Sequence, residues 1–503
     1  MNLIAALAAD QGADYRLTRW LLQRALAGIY LIAFLVAVNQ FGPLLGSHGL
    51  TPVPFFLRQV SVRYSPSLFY LSYSDGLAAA FAWIGVACSV AALFGLSDRF
   101  GTPVSMVVWG ILWLLYLSFV NVGQTWYAFG WETLLLESGF LAIFLGANRA
   151  TPPVVVIWMY RWVLFRLMLG AGLIKLRGDP CWRDLTCLVY HYQSQPIPNP
   201  LSWYFNLLPV AVDKAGVLFN YLAEVVAPFG YFVPVRGVRY AAGVATVGLQ
   251  AMLILSGNFS WLNWLTIVLA ISCFDDRAFA LVFGFAAKRF RAFRDHALEP
   301  RARPHQIALG GLAVLVGALS VQPAVNLLSP GQLMNASFEP LHLVNTYGAF
   351  GSISKQRFEV VLEGTSDSVI TPSTQWKEYQ FKAKPGDVNR RPPQVAPYHL
   401  RLDWLMWFAA LSRDDADPWI LPLVARLLQN DKPTLGLIGA NPFPDRPPVF
   451  IRARLFEYRF TTPAERRQTG AWWSRTFASE YLPPLSLETP GLLDLLRSQG
   501  WVY

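Results

Sequence analysis

The chain has 503 residues, of which 54% are hydrophobic and only 14% charged, and it carries a formal net charge of +10. That composition is too apolar for a soluble globule and points to a polytopic membrane protein whose first partner is the lipid bilayer. It also argues against nucleic acid as a partner, because the basic residues gather in short loops between apolar runs, where membrane topology wants them.

The N-terminal residues include Asp10 and Asp14 and only a short apolar patch from Leu3 to Ala9. They do not make a cleavable signal peptide, so the first span is expected to direct insertion itself. Runs approaching the about 20 residues needed to cross the hydrocarbon core fall at 22–40, 77–96, 103–122, 131–146, 154–176, 215–235, 240–256, 261–274 and 307–328. The expectation is an α-helical polytopic membrane domain of about nine spans. The runs 131–146 and 261–274 are short and would have to tilt, re-enter or continue into their neighbours.

Six charged residues sit inside the fourth to sixth runs, where they are costly and face a bundle interior. They are Glu132 and Glu137 in the fourth run, Arg161, Arg166 and Lys175 in the fifth, and Glu224 in the sixth. Matching depth across antiparallel neighbours, at a rise of about 1.5 Å per residue, pairs Glu132 with Lys175, and Arg166 with either Glu137 or Glu224. Such pairs serve either to fix helix packing or to line a proton, substrate or acid–base pathway.

The loop 177–213 is polar, aromatic and rich in proline. It holds Cys181 and Cys187, which can form a structural disulfide, stay as two thiols, or act as an exchangeable redox pair. Their spacing is neither that of a thioredoxin-like motif nor, without a second pair, that of a zinc ribbon. Lys175, Asp184 and His191 are the candidate acid–base groups of this outer mouth. Trp182, Tyr190, Tyr192 and Trp203 are candidates for contacts with a client or with the membrane interface. Cys88 and Cys273 lie in apolar runs and read as small core residues. The six histidines are scattered without metal-ligand spacing, and there is no P-loop, dinucleotide fingerprint or nucleophile elbow, so no metal and no cofactor is expected.

Sidedness follows from the short-loop cations. With nine spans, Arg16, Arg19, Arg24, Arg99, Arg149, Arg236, Arg239 and the cluster Lys288, Arg289, Arg291, Arg294, Arg301 and Arg303 all fall on one side, which makes the N-terminus and the basic loop 275–306 cytoplasmic. That cluster is either a topogenic anchor meeting anionic lipid or a docking site for protein. The domains expected are a multispan transmembrane domain, 1–328, whose loop 177–213 faces outward, and an extracytoplasmic domain, 329–503. The sequons Asn258-Phe-Ser260 and Asn335-Ala-Ser337 then lie outside. The tail is charged and proline-rich, with strand-like alternation at 357–363, 379–384 and 450–461 and helical spacing at 403–411 and 418–429, which predicts a β-rich domain with a few helices.

Longer stretches carry a resemblance. Arg161-Trp162 and then Phe165-Arg166-Leu167-Met168-Leu169-Gly170-Ala171-Gly172-Leu173-Ile174-Lys175 lead into Gly178-Asp179-Pro180-Cys181-Trp182. In the tail come Val344-Asn345-Thr346-Tyr347-Gly348-Ala349-Phe350-Gly351, Lys384-Pro385-Gly386-Asp387, Pro397-Tyr398-His399-Leu400-Arg401-Leu402-Asp403-Trp404, Asn441-Pro442-Phe443-Pro444, Trp472-Trp473 and Tyr481-Leu482-Pro483-Pro484. Over essentially its whole length the chain closely resembles the lipase maturation factor family. The resemblance implies a multipass membrane protein, resident in the endoplasmic reticulum of animals, that acts as a chaperone for dimeric secreted lipases, with its conserved C-terminal domain in the lumen. The preference for arginine over lysine, with abundant Ala, Gly, Pro and Leu, points to a bacterial source, which would place the chain in the plasma membrane. The helical half is also distantly similar to the membrane domain of vitamin K-dependent carboxylases, so the alternative is an integral-membrane enzyme or a thiol-redox factor. Transport is a weaker option, since no inverted repeat is evident.

Overall fold

The computed structural model describes residues 15–282, 302–412, 417–498 and 501. Each predicted apolar run is helical there: α1 (Arg16–Leu45), α2 (Asp75–Leu93), α3 (Thr102–Val122), α4 (Gly130–Ile143), α5 (Val154–Arg177), α6 (opening with Val210–Tyr221), α7 (Arg236–Ser256), α8 (Leu262–Cys273) and α9 (Arg303–Leu328). Among the described residues, six of these, α1, α2, α3, α5, α7 and α9, are long and apolar enough to cross a membrane. The other three fall short for separate reasons. Helix α4 has only 14 residues and contains both Glu132 and Glu137, and α8 is a short apolar helix. Helix α6 is broken by a π turn at Leu222–Val226 before its last turn at Ala227–Gly230.

Helices α1 and α5 form the middle of the bundle, with 61% and 67% of their most apolar windows buried, against 28% for α2 and 22% for α9. Outer helices expose large apolar side chains such as Val107, Val244 and Val314, a surface that suits hydrocarbon and not water. Aromatic edges knit α1 to α3: Tyr30 and Phe34 both meet the Tyr116 ring edge-on, at 5.7 and 5.5 Å. At one end of the bundle arginines in the opening turns of α1 and α7 are spent on backbone and acids. Arg19 donates to the carbonyls of Asn148 and Ala150, Arg24 pairs with Asp98, and Arg236 and Arg239 share Asp275. Most of the basic cluster, Lys288 to Arg301, lies outside the described residues, as do Asp10 and Asp14.

The tail docks on the opposite end. Its sheet runs β2 (Lys377–Glu378), β1 (Arg357–Thr365), β5 (Phe450–Phe460), β6 (Trp473–Leu485), all antiparallel, and β3 (Gln380–Phe381) pairs with β4 (Ile438–Ala440). The β1–β5 ladder is regular from Arg357↔Tyr458 to Thr365↔Phe450. Helices α10 (Arg401–Leu411) and α11 (Ile420–Leu428) complete the tail core. Two expectations are corrected here. The tail is mixed and not β-rich, helix and strand sharing its described residues about equally. The run 379–384 yields only a two-residue strand, whereas β6 has no counterpart among the predicted strands. Strand β6 is an edge, half-buried or exposed at all but its first residue, which is why it tolerates Pro483 and Pro484, and its consecutive exposed residues 476–480 break the alternation.

Candidate functional site

The tail reaches into the bundle through the segment 343–348, which is buried throughout. Glycines on α5 and at its C-cap let it in: a Cβ on Gly170 would clash with the carbonyl oxygen of Tyr347, and one on Gly178 with that of Gly351. The segment then satisfies a buried ion pair. Arg166 bonds Glu137 and the carbonyl of Asn345, while Glu137 accepts from the backbone N–H of Asn345 (3.1 Å) and from the hydroxyl of Tyr347 (2.7 Å). Burying two charges is repaid only when the geometry is close and the spare lone pairs are filled, and here bundle and tail share that task.

Glu132 does not meet Lys175, contrary to the depth argument. Its partner is Arg401, at the start of α10, whose Nη1 lies 2.8 Å from the Glu132 carboxylate, with Tyr116 donating to the other oxygen. Depth matching considered only neighbouring spans, whereas this cation descends from the tail, 269 residues away in sequence. Lys175 instead turns to α6 and bonds both oxygens of Glu224 at 2.7 Å and Asn220 Oδ1 at 3.0 Å. Glu224 lies in the π turn of α6, a distortion that is frequent at functional sites.

Between the Lys175–Glu224 pair and the tail lies a cavity of about 530 Å³. Met168, Ala171, Gln250 and Asn263 form bundle walls, and Phe350, Trp404 and Trp407 form the tail side. Gln250 and Asn263 are bonded to each other at 2.7 Å. His191 also lines the cavity; it is 4% exposed, and its Nε2 has no hydrogen-bond partner. Burial, aided by the nearby Lys175 charge, pushes the His191 imidazole down to about 4, so it is neutral at pH 7. Asp184 is exposed and is not part of the cavity wall, so the three candidate acid–base groups are not assembled together.

The loop 177–213 is folded in and not displayed. Cys181 and Cys187 are joined in a disulfide, and both are buried. Trp182, Tyr192 and Trp203 are buried as well, so in this fold they are not displayed for a client. Trp182 donates to the carbonyl of Phe350 and Trp203 to that of Thr461, each at 2.8 Å, so both spend their polar edge on the tail. Tyr192 packs on Phe205, and half-buried Tyr190 lies beneath the Lys355 ammonium. Arg357 of β1 clamps the loop from the other side through the carbonyls of Gln193, Gln195 and Pro196, and Arg357 and Lys384 both pair with Glu359. Asn258, the first sequon residue, is 1% exposed and fully used, donating to Pro198 and Pro393 and accepting from Val395 and Ala396.

Sequence reasoning therefore found the buried charges of the bundle but missed Arg357, Arg401, Asn345, Tyr347 and Asn220. Each is an ordinary polar residue by local pattern and acquires its role from a partner on another element. Arg401 and the Asn345–Tyr347 pair do lie in the stretches that carry the family resemblance, which was the one available signal. Among the described residues no cluster of His, Cys, Asp and Glu could hold a metal ion.

Comparison with known proteins covers both halves. Residues 17–281 match the lipase maturation factor transmembrane domain, and residues 343–483 match the lipase maturation factor C-terminal domain. Lipase maturation factor 1 of Bos taurus is 42% identical, over 98% of this chain and 93% of its own length. That of Homo sapiens is 42% identical over 96% and 90%, and lipase maturation factor 2 of Gallus gallus is 31% identical over 97% and 84%. These relatives are animal proteins, which gives the bacterial source expected from composition no support. No solved structure matches.

Proposed function

Given that the chain belongs to the lipase maturation factor family, we propose that it is a multipass membrane maturation factor that assists the folding and assembly of secreted lipases. The observation carrying this reading is the 42% identity to lipase maturation factor 1, which extends over nearly all of both chains and takes in bundle and tail alike. In this reading α4, α6 and α8 join the six long helices as tilted or broken crossings, residues 1–328 form a membrane domain of nine spans, the N-terminus is cytoplasmic, and residues 329–503 form the extracytoplasmic domain. Two observations support that orientation. Arg19, Arg24, Arg236 and Arg239 gather at one end of the bundle, as the positive-inside rule expects of a cytoplasmic face. The tail docks at the other end, beside a disulfide that an oxidising compartment preserves. In a eukaryotic cell that compartment is the lumen of the endoplasmic reticulum.

The test is complementation. The full chain is expressed in cells that lack their own maturation factor, together with a dimeric secreted lipase, and lipase activity in the medium is measured. Restored secretion of active lipase is the expected result. Inactive, retained lipase beside a correctly inserted and well expressed chain would overturn the proposal.

A further inference from the structure

The cavity at the seam has the size of a small-molecule site, and its walls say what kind of molecule fits. Most of its lining is apolar, from Met168 and Leu253 of the bundle to Trp404 and Phe408 of the tail. A void of about 530 Å³ with such walls is poorly filled by water and leaves its lining without contacts, so it favours an apolar occupant. Its polar end is small and carries no net charge. Lys175 directs its three donors to Glu224 and Asn220, and Glu224 neutralises it. His191 is clamped between rings, stacked on Phe259 at 5.9 Å and edge-on to Phe350 at 5.3 Å, yet its Nε2 bonds nothing. A buried nitrogen fixed in place without a partner is a vacant hydrogen-bond position on the cavity wall.

We propose that this cavity binds a neutral acyl lipid, its hydroxyl or ester carbonyl meeting His191 Nε2 and its acyl chain lying against Met168, Leu253 and Trp404. An ionised head group fits badly, since the cations and anions facing the cavity already cancel and a further buried charge would stand unpaired. A polypeptide segment fits badly too, because it brings a donor and an acceptor with every residue to walls that hold few free partners. Spans α5, α7 and α8 contribute directly to the lining, so the occupant is a molecule of the surrounding bilayer and not one that must cross water.

Photolabelling of the purified full chain tests it, using a diazirine-bearing monoacylglycerol and, as contrasts, a diazirine fatty acid and a diazirine lysophosphatidylcholine. The neutral probe is expected to label cavity residues saturably and to be competed by unlabelled monoacylglycerol. Loss of one hydrogen bond in His191→Phe, which keeps an aromatic ring in place, should weaken half-saturation by about fivefold. Ala171→Phe and Thr266→Phe, which fill the space, should abolish saturable labelling while leaving elution profile and disulfide unchanged. If a filling variant fails to fold, saturation and the His191→Phe shift in intact protein still decide the matter. Labelling that never saturates, that maps to the outer faces of α2 and α9, or that is as strong with the fatty acid anion would overturn the proposal.

Discussion

Glu132 lies 0% exposed in a helix buried inside the bundle, so its carboxylate survives only because Arg401 and Tyr116 stand in for water. Arg401 is equally committed: its guanidinium lies 3.5 Å above the Tyr127 ring and donates to the carbonyl of Trp126 as well as to Glu132. Removing one partner strands the other charge in low dielectric, which costs about 3–5 kcal/mol, whereas replacing both by apolar side chains of similar volume is often neutral. Glu132→Ala and Arg401→Ala should therefore each lower the thermal midpoint strongly and reduce the yield of monodisperse protein, while Glu132→Leu combined with Arg401→Met recovers most of the loss. Single variants that melt with the parent would show that the pair is not holding the seam. The sequence made half of this legible. A glutamate in an apolar run is conspicuous on energetic grounds alone, but nothing local marks Arg401, because an arginine at the start of a tail helix is unremarkable until the tail is folded onto the bundle.

At the scale of elements, apolar length was the strongest signal, and it located every long helix of the bundle. It failed where an element is defined by what it packs against. Edge strand β6 and the π turn of α6 leave no periodic trace: the first because its residues 476–480 are exposed on both faces, the second because a single inserted residue shifts register without changing composition. The two sequons separate in the same way. By sequence Asn258 and Asn335 are equivalent acceptors on the outer side. In the fold Asn335 is exposed at the entry to the tail, whereas Asn258 has both its donor and its acceptor engaged by the loop and the tail. Expressed in a eukaryotic secretory membrane, the chain should carry one glycan, lost in Asn335→Gln and unaffected in Asn258→Gln, as read by the mobility shift on endoglycosidase treatment. Modification at neither site would reverse the proposed orientation, and an occupied Asn258 in folded protein would contradict its burial.

Over the whole molecule, bundle and tail behave as one body, because neither satisfies its buried polar groups alone, and three histidines sit along the boundary. His191 faces the cavity from the loop, His342 bonds Asn121 Oδ1 at 2.8 Å in the last turn of α3, and His399 is packed among the rings of Phe129, Trp131, Trp261 and Trp404. Burial pushes His191 and His342 each down to about 4 from an ordinary 6.5, and burial followed by the Arg401 charge pushes His399 down as well. The sign of the linkage follows: a depressed histidine binds fewer protons folded than unfolded, so its stabilising contribution is complete above the unfolded value near 6.5 and is lost as pH falls toward 4. For His191 alone the full shift corresponds to on the order of 3 kcal/mol, and all three imidazoles act in the same direction on the same boundary. Acidification from pH 7 to 4.5 should thus loosen the tail from the bundle, lowering the thermal midpoint and opening the connection near residue 330 to protease. His399→Phe keeps the ring packing and removes the titration, and should flatten part of that slope. A midpoint constant over the same range, or a slope that stays at the parent's value in both His399→Phe and His191→Phe, would mean that these imidazoles are not what acid acts upon.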